Sequence, residues 1–111
     1  MTLKPLVCLG SSRDDLKHFP ADARLRAGFE LYRVQQGLEP RDWKPMPTVG
    51  KGVAEIRIRI GQEFRVLYVS KFAEAIYVLH AFEKKSQKTA QRDLALATER
   101  FGQLLRTRGG R

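Results

Sequence analysis

Three consecutive stretches of strand character, separated by only a few turn residues, constrain this chain more than any other feature. Val53 to Ile60 alternates strictly, with Ile56, Ile58 and Ile60 on one side and Glu55, Arg57 and Arg59 on the other. That period of two sends alternate side chains to opposite faces of an extended strand. Gly61-Gln62-Glu63 reads as a hairpin turn. Phe64 to Ser70 is nearly all apolar except Arg65, which fits a central strand covered on both faces. Lys71 to Glu74 turns the chain again, and Ala75 to Phe82 makes the last strand. Parallel neighbours need long crossovers, so connections this short imply an antiparallel meander.

The remaining segments must cover that sheet. Lys4 to Leu9 reads as a first strand ending at Gly10. A short helix, capped within Ser11-Ser12, carries Leu16 and Phe19 and stops at Pro20. A longer helix is expected from Pro20 to Gln36 on Ala23, Ala27, Leu31 and Val34, with Leu25, Phe29 and Tyr32 widening its apolar stripe. Glu30 falls among the polar positions outside that stripe, and Gly37 ends the helix. Residues 37–52, rich in proline and glycine, read as an aperiodic connection that tucks Trp43 and Met46 against the body. A final helix starts near Thr89 and carries Leu94, Ala97, Phe101 and Leu104, with Gly109-Gly110 past its end. The expected fold is α+β in the order β-α-α-β-β-β-α. It is a small antiparallel-rich sheet with an N-terminal α-hairpin and a C-terminal helix, in one domain spanning residues 1–111. With 42% apolar residues the chain can bury a core without a disulfide or metal.

Charge gives the first functional clue. Lys and Arg number 21 against 12 Asp and Glu, a net +9 that is concentrated beyond residue 52. No acid interrupts Lys84, Lys85, Lys88 and Arg92. Such a balance points to a polyanionic partner, nucleic acid first, against the plainer alternative of a merely solvated basic surface. No apolar run approaches the ~20 residues of a membrane span, and Met1 to Pro5 does not open a signal peptide. Cys8 is the only cysteine and reads as buried and inert, so no disulfide framework exists. His18 and His80 have no carboxylate at ligand spacing, and no phosphate or dinucleotide loop occurs, so neither metal nor cofactor is expected. A cytoplasmic protein is the expectation.

Placed on the predicted strands, the charged positions converge. Glu55, Arg57 and Arg59 share a face, Arg65 lies across a hairpin turn, and Lys84, Lys85, Gln87 and Lys88 follow the last strand. An arginine within an apolar strand costs desolvation unless it is paired or faces a site. Clustered cations suit RNA cleavage, in which a 2′-hydroxyl attacks the adjacent phosphate. That reaction needs a base, cations for the phosphorane and an acid for the leaving oxygen. Arg57, Arg65, Lys84 and Lys85 are the candidate phosphate ligands, and Glu55 and His80 the candidate proton carriers. Arg59, Gln87, Lys88 and Arg92 are candidates for RNA binding. Each has a plainer reading: Glu55 as an ion-pair partner, His80 as an interior histidine, Arg59 as a solvated strand residue. Tyr68 and Tyr77 read as core.

The combination of GLEPRDWKPMP, GVAEIRIR, FRVLYV and YVLHAFEKKSQKT, followed by a helix, resembles the phage-derived HigB-like branch of the RelE/ParE toxin superfamily over about residues 4–105. The resemblance implies the toxin of a type II toxin–antitoxin pair, with a helix-turn-helix antitoxin encoded nearby. Its targets would be the ribosome and mRNA, cleaved to leave a cyclic or 3′ phosphate. Arg65 would take the place of the strand arginine at the scissile phosphate. Arg57 and Glu55 would take those of catalytic or mRNA-binding residues, and Lys84 and Lys85 those of further phosphate ligands. Position 55 is an acid where RelE proper has lysine, and the terminal helix offers no tyrosine as base, so Glu55 or His80 must replace it. Two other readings stand beside this one: a ParE-like inhibitor of DNA gyrase, and a phage-derived RNA-binding protein that does not cut.

Overall fold

The computed structural model describes residues 2–109. Its elements are β1 (Leu6–Cys8), α1 (Ser12–Lys17), α2 (Ala21–Gln35), β2 (Trp43–Pro45), β3 (Val53–Ile60), β4 (Gln62–Val69), β5 (Ile76–Lys84) and α3 (Gln91–Gly109). They form one five-stranded sheet in the order β1-β5-β4-β3-β2. The meander β3-β4-β5 is antiparallel, as its short turns require. β1 joins β5 in parallel, with Leu6 beside Ile76 and Cys8 beside Val78. The α+β class, the N-terminal helices and the C-terminal helix are as the sequence predicts.

Several boundaries differ, and β1 is shorter than the Lys4–Leu9 run suggests. Within residues 37–52 a three-residue strand, β2, pairs antiparallel with β3, placing Lys44 beside Glu55. Its proline is tolerated because β2 is an edge strand. Met46 tucks in as expected, whereas Trp43 stays on the exposed edge. The first hairpin turns on Gly61 alone, at φ +68°, so Gln62 and Glu63 belong to β4 rather than to the turn. β5 runs on through Glu83 and Lys84, which pairs with Glu63. Gly109 closes α3 rather than following it, and Gly110 lies outside the described residues.

Both faces of the sheet are covered. Ile56, Ile58, Phe64, Val66, Tyr68 and Val78 pack under α1 and α2 with Ala23, Ala27, Leu31 and Val34. Burial pushes the Tyr68 hydroxyl up from its ordinary range. On the opposite face Leu67, Val69, Leu79 and Phe82 meet Ala97, Phe101 and Leu104 of α3. The far end of α3 is held by Arg108, which donates to Glu74 and lies 3.8 Å over the Phe72 ring. The Arg108 hydrogen bond is the main reason that the Glu74 carboxyl falls to about 2.

The α2 stripe is narrower than its periodicity suggests. Leu25, Phe29 and Tyr32 are exposed, while Glu30 is buried. Glu30 accepts from the Arg41 backbone N–H at 3.0 Å and from its guanidinium at 2.9 Å. Arg41 in turn lies over the Phe29 ring, so this polar pair fastens the connection after α2 onto the helix. Gly37, at φ +87°, lets the chain leave α2 as predicted. Cys8 is half-buried rather than buried, and desolvation pushes its thiol up. Gly28 sits exposed within α2, and a Cβ there would meet nothing within 4 Å. Gly28→Ala is therefore expected to stabilise the protein by about 0.5–1 kcal/mol, read as a higher midpoint in urea unfolding.

Candidate nucleic-acid interface

The β3–β4 register sets Arg57 directly opposite Arg65. Two like charges facing each other across strands repel, and the arrangement holds because carboxylates intervene. Glu55 Oε1 lies 3.6 Å from Arg57 Nε and 3.4 Å from Arg65 Nε. Glu63 grips the other end of Arg65, its Oε1 2.6 Å from the guanidinium. The same guanidinium donates to the Phe64 carbonyl at 3.3 Å. Arg65 is 3% exposed and Glu55 1%, so the pair is fully desolvated in the centre of the sheet. The Arg65 hydrogen bond lowers the Glu63 carboxyl from its ordinary range.

This cluster retains unused polar capacity. Glu55 Oε2, Arg57 Nε and Arg65 Nε are buried without a hydrogen-bond partner. Buried polar atoms left unpaired are uncommon in folded proteins, so three of them in one cluster call for an explanation. Above them opens a groove of about 440 Å³ lined by Glu55, Arg57, Arg65, Lys44, Lys84, Gln87 and Lys88, with α3 supplying Gln91 and Leu94. One carboxylate stands among two arginines and three lysines.

The predicted site residues therefore divide. Glu55, Arg57, Arg65, Lys84, Gln87 and Lys88 are brought together. Lys84 belongs to β5 itself, and its ammonium donates to the carbonyls of Ser86 and Gln87, shaping the segment that walls the groove. Lys85 and Arg92 line a neighbouring recess with Lys84 and Lys88 instead. Arg59 is exposed nearer the hairpin turn, beside Glu63, and does not line the groove. His80 does not line it either. It is buried, its Nε2 lies 2.7 Å from Asp93 Oδ1, and its ring stacks on Phe82 at 4.9 Å. The interior reading of His80 is thus the one the geometry matches.

Lys44, Thr89, Gln91 and Leu94 line the groove although the sequence does not mark them as site residues. Lys44 arrives through β2, a strand too short to show a period. Gln91 and Leu94 arrive because the start of α3 lies against the end of β5. Lys44 has no signal in the sequence: its place beside Glu55 comes from the β2–β3 register, which the Met46 N–H extends by donating to the Val53 carbonyl at 2.8 Å. Among the described residues no cluster of three or more His, Cys, Asp or Glu side chains exists that could hold a metal ion, and no helix is long and apolar enough to cross a membrane.

No curated protein matches the chain. The family described as phage-derived protein Gp49-like (DUF891) matches over residues 14–102, from α1 into α3 and across the whole groove. The chain belongs to this phage-derived Gp49-like family, a RelE-like family associated with toxin–antitoxin pairs.

Proposed function

We propose that this protein is the toxin of a toxin–antitoxin pair and cleaves mRNA on the ribosome. The observation that carries the reading is the buried Glu55–Arg65 pair, with Glu55 Oε2 left without a partner, at the base of a lysine-rimmed groove. Guanidinium forks suit phosphate oxygens, and a carboxylate beside them suits proton abstraction. In the proposed reaction the ribose 2′-oxygen bonds to the adjacent phosphorus and its proton passes to Glu55 Oε2. Arg57 and Arg65 hold the non-bridging oxygens as charge builds on the phosphorane. The phosphorus–5′-oxygen bond then breaks, and the leaving oxygen takes a proton from Lys84, whose ammonium has a third N–H beyond the two given to Ser86 and Gln87. The products are a 2′,3′-cyclic phosphate and a 5′-hydroxyl. In this reading the partners are mRNA, the ribosome and a helix-turn-helix antitoxin that silences the groove.

The test adds purified protein to ribosomes holding a defined mRNA and maps the new ends. Cleavage only in the presence of ribosomes, leaving a cyclic phosphate, is the expected result. Intact mRNA together with inhibited DNA supercoiling by gyrase would replace this reading with the gyrase inhibitor. RNA bound but never cut would replace it with the non-catalytic binder.

The two adjacent lysines separate docking from chemistry. Lys84→Ala is expected to slow single-turnover cleavage on saturating ribosomes, because Lys84 lies in the groove. Lys85→Ala is expected to leave that rate unchanged and weaken only binding, lowering the salt slope by about 0.7 because one phosphate is no longer neutralised. Equal single-turnover rates for the two variants would remove Lys84 from the reaction.

A further inference from the structure

We infer that His80 and Asp93 form a latch that holds the cationic wall of the groove in place, and that both are positioning residues for RNA. The inference rests on the reading of the groove as an RNA site. Residues 85–90 have no regular structure, yet Gln87, Lys88 and Thr89 from this stretch line the groove. The hydrogen bonds that shape the stretch are local. Lys84 donates to the Ser86 and Gln87 carbonyls, Ser86 Oγ donates to the Lys88 carbonyl, and the Asp93 and Leu94 N–H groups donate to the Ala90 carbonyl. None of these ties the far end of the segment to the sheet.

The His80–Asp93 contact supplies that tie. Among the described residues it is the one side-chain hydrogen bond joining residues 88–94 to the sheet, at 2.7 Å between Nε2 and Oδ1. Asp93 stands in the first turn of α3, next to groove-lining Leu94 and two residues past groove-lining Gln91. His80 is fixed from behind by Phe82, the cross-strand neighbour of Arg65. Leu94 packs in the core beneath α3 and Arg100 donates to the Leu79 carbonyl at 2.9 Å one turn and more further on, so the His80–Asp93 bond is the polar contact that relates the wall to the arginine at the base. A buried imidazole N–H needs an acceptor, and Asp93, from a different element, is the one that meets it.

The carboxylate accepts the Nε2–H, so the latch needs an acceptor at position 93 and not its charge. Asp93→Asn keeps the acceptor; Asp93→Ala removes it. In Asp93→Ala, amide hydrogen exchange is expected to accelerate across residues 85–92 while β4 and β5 stay protected. Binding of a single-stranded RNA oligonucleotide should lose about 0.7 of salt slope for each lysine that leaves the phosphates. Asp93→Asn should restore both. A purely structural role would lower the unfolding temperature without touching the salt slope. Wild-type exchange and slope in Asp93→Ala would overturn the latch, as would an Asn variant that behaves like the Ala variant. The exchange measurement judges the latch without RNA. Wild-type protein that ignores the oligonucleotide would therefore count against the groove reading alone.

Discussion

Arg65→Lys is expected to slow cleavage of ribosome-bound mRNA by about 10²–10³-fold with the protein still folded, the loss typical of removing one preorganised group from a developing charge. Lysine keeps a cation beside Glu55 but lacks the planar fork that meets Glu55, Glu63 and the Phe64 carbonyl at once. The check is single-turnover cleavage at saturating ribosomes, with thermal unfolding measured on the same sample. A wild-type rate would take Arg65 out of the reaction. Arg65→Ala is a poorer probe. It leaves a 1%-exposed carboxylate without its nearest buried cation, and breaking a buried ion pair costs roughly 3–5 kcal/mol.

Glu55→Gln carries the other large effect. Loss of a positioned base lowers the rate by about 10²–10⁴-fold. Because Glu55 Oε1 lies within 3.6 Å of both Arg57 and Arg65, which face each other in the register, the same change removes the counter-charge they share and leaves Glu63 alone on Arg65. Unfolding in urea should therefore shift to lower concentration, and Glu55→Ala should shift it further, by about 3–5 kcal/mol relative to wild type. A Gln variant that is destabilised yet cleaves normally would make Glu55 an ion-pair partner only. The proton acceptor would then lie elsewhere.

Arg65 joins the groove face only through the register that the tight Gly61 turn sets, but the alternation in Val53–Ile60 and the apolar run after it were enough to place the meander and to set Glu55 and Arg57 on a common face. That is because a period of two is a local property of the chain. Local pattern could not show that Glu30 is buried, since its burial depends on Arg41 returning from the loop after α2. Nor could it show β2, whose three residues pair only because β3 offers an open edge. His80 illustrates the same limit. Its apolar neighbours pointed correctly to the interior, but its partner, Asp93, comes from the next element, and its face of the strand is set by a bulge between Leu67 and Tyr68. The cations of residues 84–92 were visible as a run. Which of them face the groove depends on where β5 stops.

The parallel pairing of β1 with β5 joins Leu6–Cys8 to Ile76–Val78, so the two ends of the fold's history meet late. The meander is built from sequence neighbours and can zip as it emerges, whereas the β1 contact must close a loop that spans most of the chain. During synthesis the first strand waits without a partner until β5 has been made and released from the exit tunnel. The groove waits longer, because its wall continues into α3, the last of these elements to emerge. A growing chain therefore carries the cations but not the cup they form. A ribosome partway through making this protein holds a chain whose groove is still unformed.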